Sequence, residues 1–161
     1  MQQSVITREG LERLSAELER LTTEGRREIA GRLERARATE ANREESSDFL
    51  AAREEHGLLE RRIAVLEERL HTAELVEPQL GNGRIDVGER ARLRDLASGK
   101  RLEVELVGPH EFDPAAGRIS IASPLGQVIL GLRRGQIAEV DAPRGKLLFK
   151  ILAVEIAGRT A

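Results

Sequence analysis

No proline occurs before Pro78, and across that stretch apolar residues recur at alternating steps of three and four. An uninterrupted supply of backbone donors with one apolar stripe per turn predicts long amphipathic helices. Leu11, Leu14, Leu18 and Leu21 open the first stripe, and Thr7 stands where it can cap that helix. After Gly25 the stripe resumes at Ile29, Leu33 and Ala36, one position out of phase. Two successive four-residue steps through Gly25 resemble a stutter, which locally unwinds a coiled coil. The second stripe runs unbroken through Phe49, Ala52, His56, Leu59, Ile63, Leu66, Leu70 and Ala73, with His56 on the seam as a packed histidine. Between the stripes, Thr39 to Asp48 is polar and almost without apolar anchors. Ser46 or Ser47 suits the N-cap of the second helix, and Asp48 its positive end. The reading is an antiparallel coiled-coil hairpin over residues 1–77 with its tip at about 39–48. Helices of some 30 residues span roughly 45 Å, too far for the rest of the chain to bury.

Beyond Pro78 and the Gly81-Asn82-Gly83 linker the period changes to two. Leu102, Val104 and Leu106 alternate with Glu103 and Glu105. Strands are expected at residues 90–96, 101–107 and 118–122, a short helix at 124–130 after Ser123, and a last hairpin at 137–140 and 146–156. The fold class is therefore α+β, with residues 78–161 forming a small, mostly antiparallel sheet domain with one short helix. Charge also divides the chain: residues 1–77 hold 13 Arg against 18 Asp and Glu, net −5, and residues 78–161 hold 13 Lys and Arg against 10, net +3. There is no cysteine, which excludes disulfides, thiol catalysis and Cys-ligated zinc. No apolar run approaches the roughly 18 residues of a membrane span, and Met1 to Gly10 does not resemble a signal peptide. A cytoplasmic protein without a membrane partner is expected.

Two segments resemble the Gre-type transcript-cleavage and elongation factors. In the hairpin these are Ile29 to Arg37, then Glu45-Ser46-Ser47-Asp48-Phe49 and Ala51-Ala52-Arg53-Glu54-Glu55. In the second half they are Val107-Gly108-Pro109, Gly117 to Gly126 with its Ile-Ser-Ile-Ala-Ser-Pro-Leu-Gly run, Leu130-Gly131, and the Ala142-Pro143-Arg144-Gly145 turn. The resemblance covers nearly the whole chain. It implies a coiled-coil hairpin joined to a domain similar to FK506-binding proteins. It also implies docking on bacterial RNA polymerase, with the hairpin tip inserted through the secondary channel toward the nascent RNA 3′ end. Such a factor is a monomer and not an enzyme; it has no cofactor of its own. It modulates the polymerase's hydrolysis of backtracked RNA by helping to hold a shared Mg²⁺ ion, for which oxygen ligands are required.

The resemblance places Glu45 at the family's tip Glu and Asn42 at its tip Asp, so a neutral carbonyl stands where a carboxylate is usual. Glu45 is the implied Mg²⁺ ligand, with Glu44, Glu40 and Asp48 close in sequence; the plain reading of these acids is a solvated turn. Arg32, Arg35, Arg37 and Arg53 are candidates for contact with RNA or polymerase, against ordinary pairing with Glu along the helix surface. Ser120, Ala122, Ser123 and Pro124 are the implied polymerase-docking loop. Three alternatives stand beside an elongation factor. One is a Gre-like polymerase inhibitor that does not stimulate cleavage. Another is a coiled-coil interaction protein with no polymerase role. The third, a prolyl isomerase, lacks aromatic residues for its pocket, since only Phe112 and Phe149 lie in the second half.

Overall fold

The computed structural model describes residues 4–39, 46–77 and 82–157. Two compact units divide the chain: Leu11–Thr72, and Met1–Gly10 together with Ala73–Ala161. This grouping puts the start of the chain, through Gly10, with the second half of the sequence.

The helical elements are α1 (Arg8–Arg20), a π-helical turn at Leu21–Gly25, α2 (Arg26–Thr39) and α3 (Ser47–Thr72). Along α1 and α2 the positions of the expected stripe are buried or half-buried, while neighbouring positions are mostly exposed. On α3 the buried residues are Phe49, Ala52, Ile63 and Leu66. The phase slip at Gly25 is taken up by the π turn, where the Arg26 N–H donates to the Leu21 carbonyl five residues back. The local sequence favours this outcome. Thr22 and Thr23 hydroxyls donate to the Leu18 and Glu19 carbonyls at 2.8 and 2.7 Å, competing with the regular ladder. Gly25, lacking a side chain, lets Leu59 of α3 approach; a Cβ there would lie 3.2 Å from Leu59 Cδ1. Ion pairs brace the hairpin outside: Arg62 with Glu17 at 2.7 Å, Arg26 with Glu60 at 2.8 Å, and Arg32 with Glu55. Being exposed, each such pair contributes about 0–1 kcal/mol.

Two expectations for the second apolar stripe are corrected. Ala73 ends no helix: it begins strand β2 (Ala73–Leu75), which pairs in parallel with β1 (Ser4–Ile6). Heptad counting cannot register a partner so distant in sequence. His56 is not packed. Its side chain is 51 % exposed and lies 3.8 Å from Glu60 on the helix surface.

The second unit adds a five-stranded sheet of β3 (Glu89–Asp95), β4 (Arg101–Val107), β5 (Arg118–Ser120), β6 (Ile137–Ala142) and β7 (Gly145–Ile156). Their order is β5-β4-β3-β7-β6, antiparallel except for the β4–β5 pair, with a bulge in the β3–β7 register between Arg92 and Leu93. One face carries the core: Ile85, Ala91, Leu93, Val104, Leu106, Ala138, Val140, Phe149 and Ile151, with Ile129 from α4 (Pro124–Ile129). The alternation on β4 puts Leu106 in the core, but Glu105 does not reach water as expected. It is 8 % exposed, beside Arg90 at 3.8 Å.

Candidate functional site

Glu40, Asn42, Glu44 and Glu45 lie outside the described residues. What is described is the frame that holds them. α2 closes at Thr39 and α3 opens at Ser47. Ser46 is the cap: its Oγ accepts from the Phe49 N–H at 3.1 Å and its carbonyl from the Leu50 N–H at 3.0 Å. Asp48 is exposed in the first turn of α3 and complements the positive helix end. Across the hairpin, the Arg37 guanidinium sits 5.4 Å from the Phe49 ring centroid, and that ring is buried. A cation over an aromatic face contributes about 0.5–1 kcal/mol at such a site. Phe49 thus fastens the two helices where they lead into the turn.

The arginine candidates divide. Arg37 is held over Phe49, and Arg32 is engaged with Glu55 of α3. Arg35 is exposed on α2. Arg53 is exposed on α3 and takes no ion-pair partner among the described residues.

In the second unit the Ser-Pro turn is built by its own hydrogen bonds. Ser120 is buried; its Oγ accepts from the Ala122 N–H at 3.0 Å and its carbonyl from the Ser123 hydroxyl at 2.7 Å. Ser123 caps α4 by accepting from the Gly126 N–H at 3.0 Å, and Pro124 takes the first helical position. Gly126 is required by close approach, since a Cβ there would stand 2.0 Å from the Ser120 carbonyl oxygen. Of the four docking candidates, then, Ser120 and Ser123 shape the turn, whereas Ala122 and Pro124 are exposed on it.

A sequence model described as "Transcription elongation factor, N-terminal" matches residues 4–75, and one described as "Transcription elongation factor, GreA/GreB, C-term" matches residues 80–156. The chain belongs to the GreA/GreB family of transcription elongation factors. It is 37 % identical to the transcription elongation factor GreA of Acidiphilium cryptum, covering 96 % of this chain and 98 % of that protein. Identity to GreA of Amoebophilus asiaticus is 36 %, over 94 % and 96 %. Among solved structures it is similar to GreA factor homolog 1 of Thermus thermophilus, at 33 % identity, 96 % and 99 % coverage and a TM-score of 0.43.

Within this family member, sequence reasoning missed a buried carboxylate. Glu111 is 4 % exposed and accepts from the backbone N–H groups of Thr7 and Gly108 at 2.9 and 3.0 Å, and from the Thr7 hydroxyl. Thr7 in turn caps α1, accepting from the Gly10 N–H at 3.0 Å. A Cβ on Gly108 would meet the Val5 carbonyl oxygen at 1.9 Å. The sequence signal was the Gly-Pro pair before Glu111, which marks a tight turn but does not name its distant partner.

Proposed function

We infer that this chain binds bacterial RNA polymerase as an elongation factor and presents its hairpin tip through the secondary channel to backtracked complexes. Family membership across both halves of the chain carries the reading; the Arg37–Phe49 contact and the Ser46 cap support it by fastening the helix ends on either side of the tip. The protein is not itself the hydrolase. It modulates the polymerase's own cleavage, acting as a cytoplasmic monomer near the nascent RNA 3′ end. The sheet with α4 against its core face supports a domain of the FK506-binding-protein kind. Ala122 and Pro124 on the Ser-Pro turn offer the docking contact.

The tip donors suit a hard cation. Glu45, with Glu44 or Glu40 beside it, supplies the carboxylate oxygens that Mg²⁺ accepts, and Asn42 adds one neutral carbonyl. An ion held there together with the polymerase would activate water toward the phosphodiester. Arg53, exposed on α3, offers a cation to phosphate. Asn42 in place of a carboxylate lowers the ligand charge, so the chain recruits the ion weakly and stimulates cleavage poorly. The same residue favours a second reading, in which the tip obstructs the channel and the protein inhibits transcription.

Cleavage of backtracked RNA by the parent, Asn42→Asp and Glu45→Ala proteins tests both. Asn42→Asp is expected to raise cleavage and lower the Mg²⁺ concentration required, while Glu45→Ala removes residual activity with polymerase binding retained. An unchanged Asn42→Asp protein that slows elongation at saturating nucleotide would leave only the inhibitor.

A further inference from the structure

The solvent face of the sheet carries three arginines along β3, and their surroundings differ. Arg90 meets Glu103 at 3.1 Å and Glu105 at 3.8 Å, and Arg92 pairs with Glu155. Arg94, two residues further, has cations on both sides. It stands directly opposite Arg101 on β4 and directly opposite Lys150 on β7. All three are exposed, and none has an ion-pair partner among the described residues. Their sequence neighbours Leu93 and Ile151 are fully buried on the other face, so alternation fixes these cations outward. Glu103, two residues from Arg101 on the same face of β4, is engaged by Arg90, and other acids around the row have partners of their own. Asp95 accepts from Ser98 Oγ at 2.6 Å and from the Ala97 N–H at 2.9 Å in the turn, and Glu139 pairs with Lys146.

Like charges directly opposite one another weaken a sheet. A row of three across adjacent strands, about 10 Å long at normal strand spacing, opposes the sheet rather than stabilising it and offers a place for an anion from outside. Apolar side chains lie beside it. Ile137 is opposite Lys150 and 54 % exposed; Leu148 and Leu96, joined by a backbone hydrogen bond, are 38 % and 43 % exposed. A duplex offers such a face only phosphates. A single strand offers phosphates to the cations and unpaired bases to the apolar side chains. We propose that the row Arg101–Arg94–Lys150, with Ile137 and Leu148 at its margin, is a binding surface for the backbone of single-stranded RNA. The contact is sequence-independent, and it does not depend on the polymerase-directed reading of the tip.

The test is anisotropy titration of the full-length protein with a labelled oligouridine across a salt series. A matched DNA duplex and polyglutamate serve as competitors. Removing three phosphate contacts lowers the slope of log K against log salt by about 2, at roughly 0.7 per contact for a single strand. The triple variant Arg94→Thr, Arg101→Thr, Lys150→Thr is expected to show that loss, with β-compatible side chains preserving the fold. Deleting the neutral pair Arg92→Thr with Glu155→Thr should leave the slope unchanged. Arg94→Glu gives a further separation: facing two cations, it should raise the melting temperature while weakening RNA binding. An unchanged slope in the triple variant, or no oligouridine binding by the parent in low salt, overturns the proposal. So does tighter binding to the duplex or to polyglutamate.

Discussion

Replacing Glu111 by alanine isolates the contribution of one buried carboxylate. Its two oxygens accept from the Thr7 N–H, the Thr7 hydroxyl and the Gly108 N–H, all in the buried part of the second unit. The Thr7 hydroxyl can rotate to another acceptor; the two amides cannot. Each buried donor left without a partner costs about 1–3 kcal/mol. Water entering the space vacated by the side chain recovers part of that, so Glu111→Ala should destabilise the unit by about 3 kcal/mol. Glu111→Gln keeps one acceptor oxygen and should lose about half as much. Gly10→Ala should act in the same direction, because its Cβ would lie 1.9 Å from Glu111 Oε1 and push the carboxylate away. Urea unfolding followed by circular dichroism measures the loss, and amide exchange at Thr7 and Gly108 locates it. An alanine variant with the parent's midpoint and with both amides still protected would refute the reasoning.

Leu66 is fully buried on α3, so Leu66→Asp combines a lost burial of about 1.5–3 kcal/mol with an unpaired carboxylate; the hairpin should melt with loss of helicity, and unchanged helicity would count against its pairing. Glu89 is buried, and desolvation, reinforced by the Asp86 charge and opposed by the Asp86 N–H, raises its pKa above the usual carboxylate range. A raised folded value means that its stabilisation is full in acid and is lost as pH rises through that value. Glu89→Gln should therefore outlast the parent in urea at neutral pH and lose that advantage near pH 4; equal midpoints at neutral pH would contradict the assignment. Ala122→Lys, on the exposed side of the Ser-Pro turn, should weaken polymerase binding without altering stability, whereas Ser123→Ala should lose a cap worth about 1 kcal/mol; unchanged affinity of the lysine variant would remove this turn from the docking surface.

Local periodicity and capping chemistry were enough to read much of this protein from its sequence. The hairpin stripes, the slip at Gly25, the Thr7 cap, the β4 strand at Arg101–Val107 and the Ser123–Pro124 helix start depend on residues within a turn or two of one another. The Gre-like runs on either side of the linker carried the resemblance to the family, which the matches to both halves of the chain then showed. Tertiary structure decided what depends on partners far apart in the chain. The pairing of Ser4–Ile6 with Ala73–Leu75, the burial of Glu111 against Thr7, and the low exposure of Glu105 beside Arg90 join segments whose separation no periodic pattern encodes. His56 shows the converse: the heptad assigned it to the seam, but packing is settled by what stands opposite, and the imidazole turns outward to Glu60. Register did the same for Arg94. Its sequence neighbours gave an ordinary alternating strand, and only the alignment of three strands set it between two other cations, because hydrogen-bonded pairing, not sequence proximity, determines which charges meet.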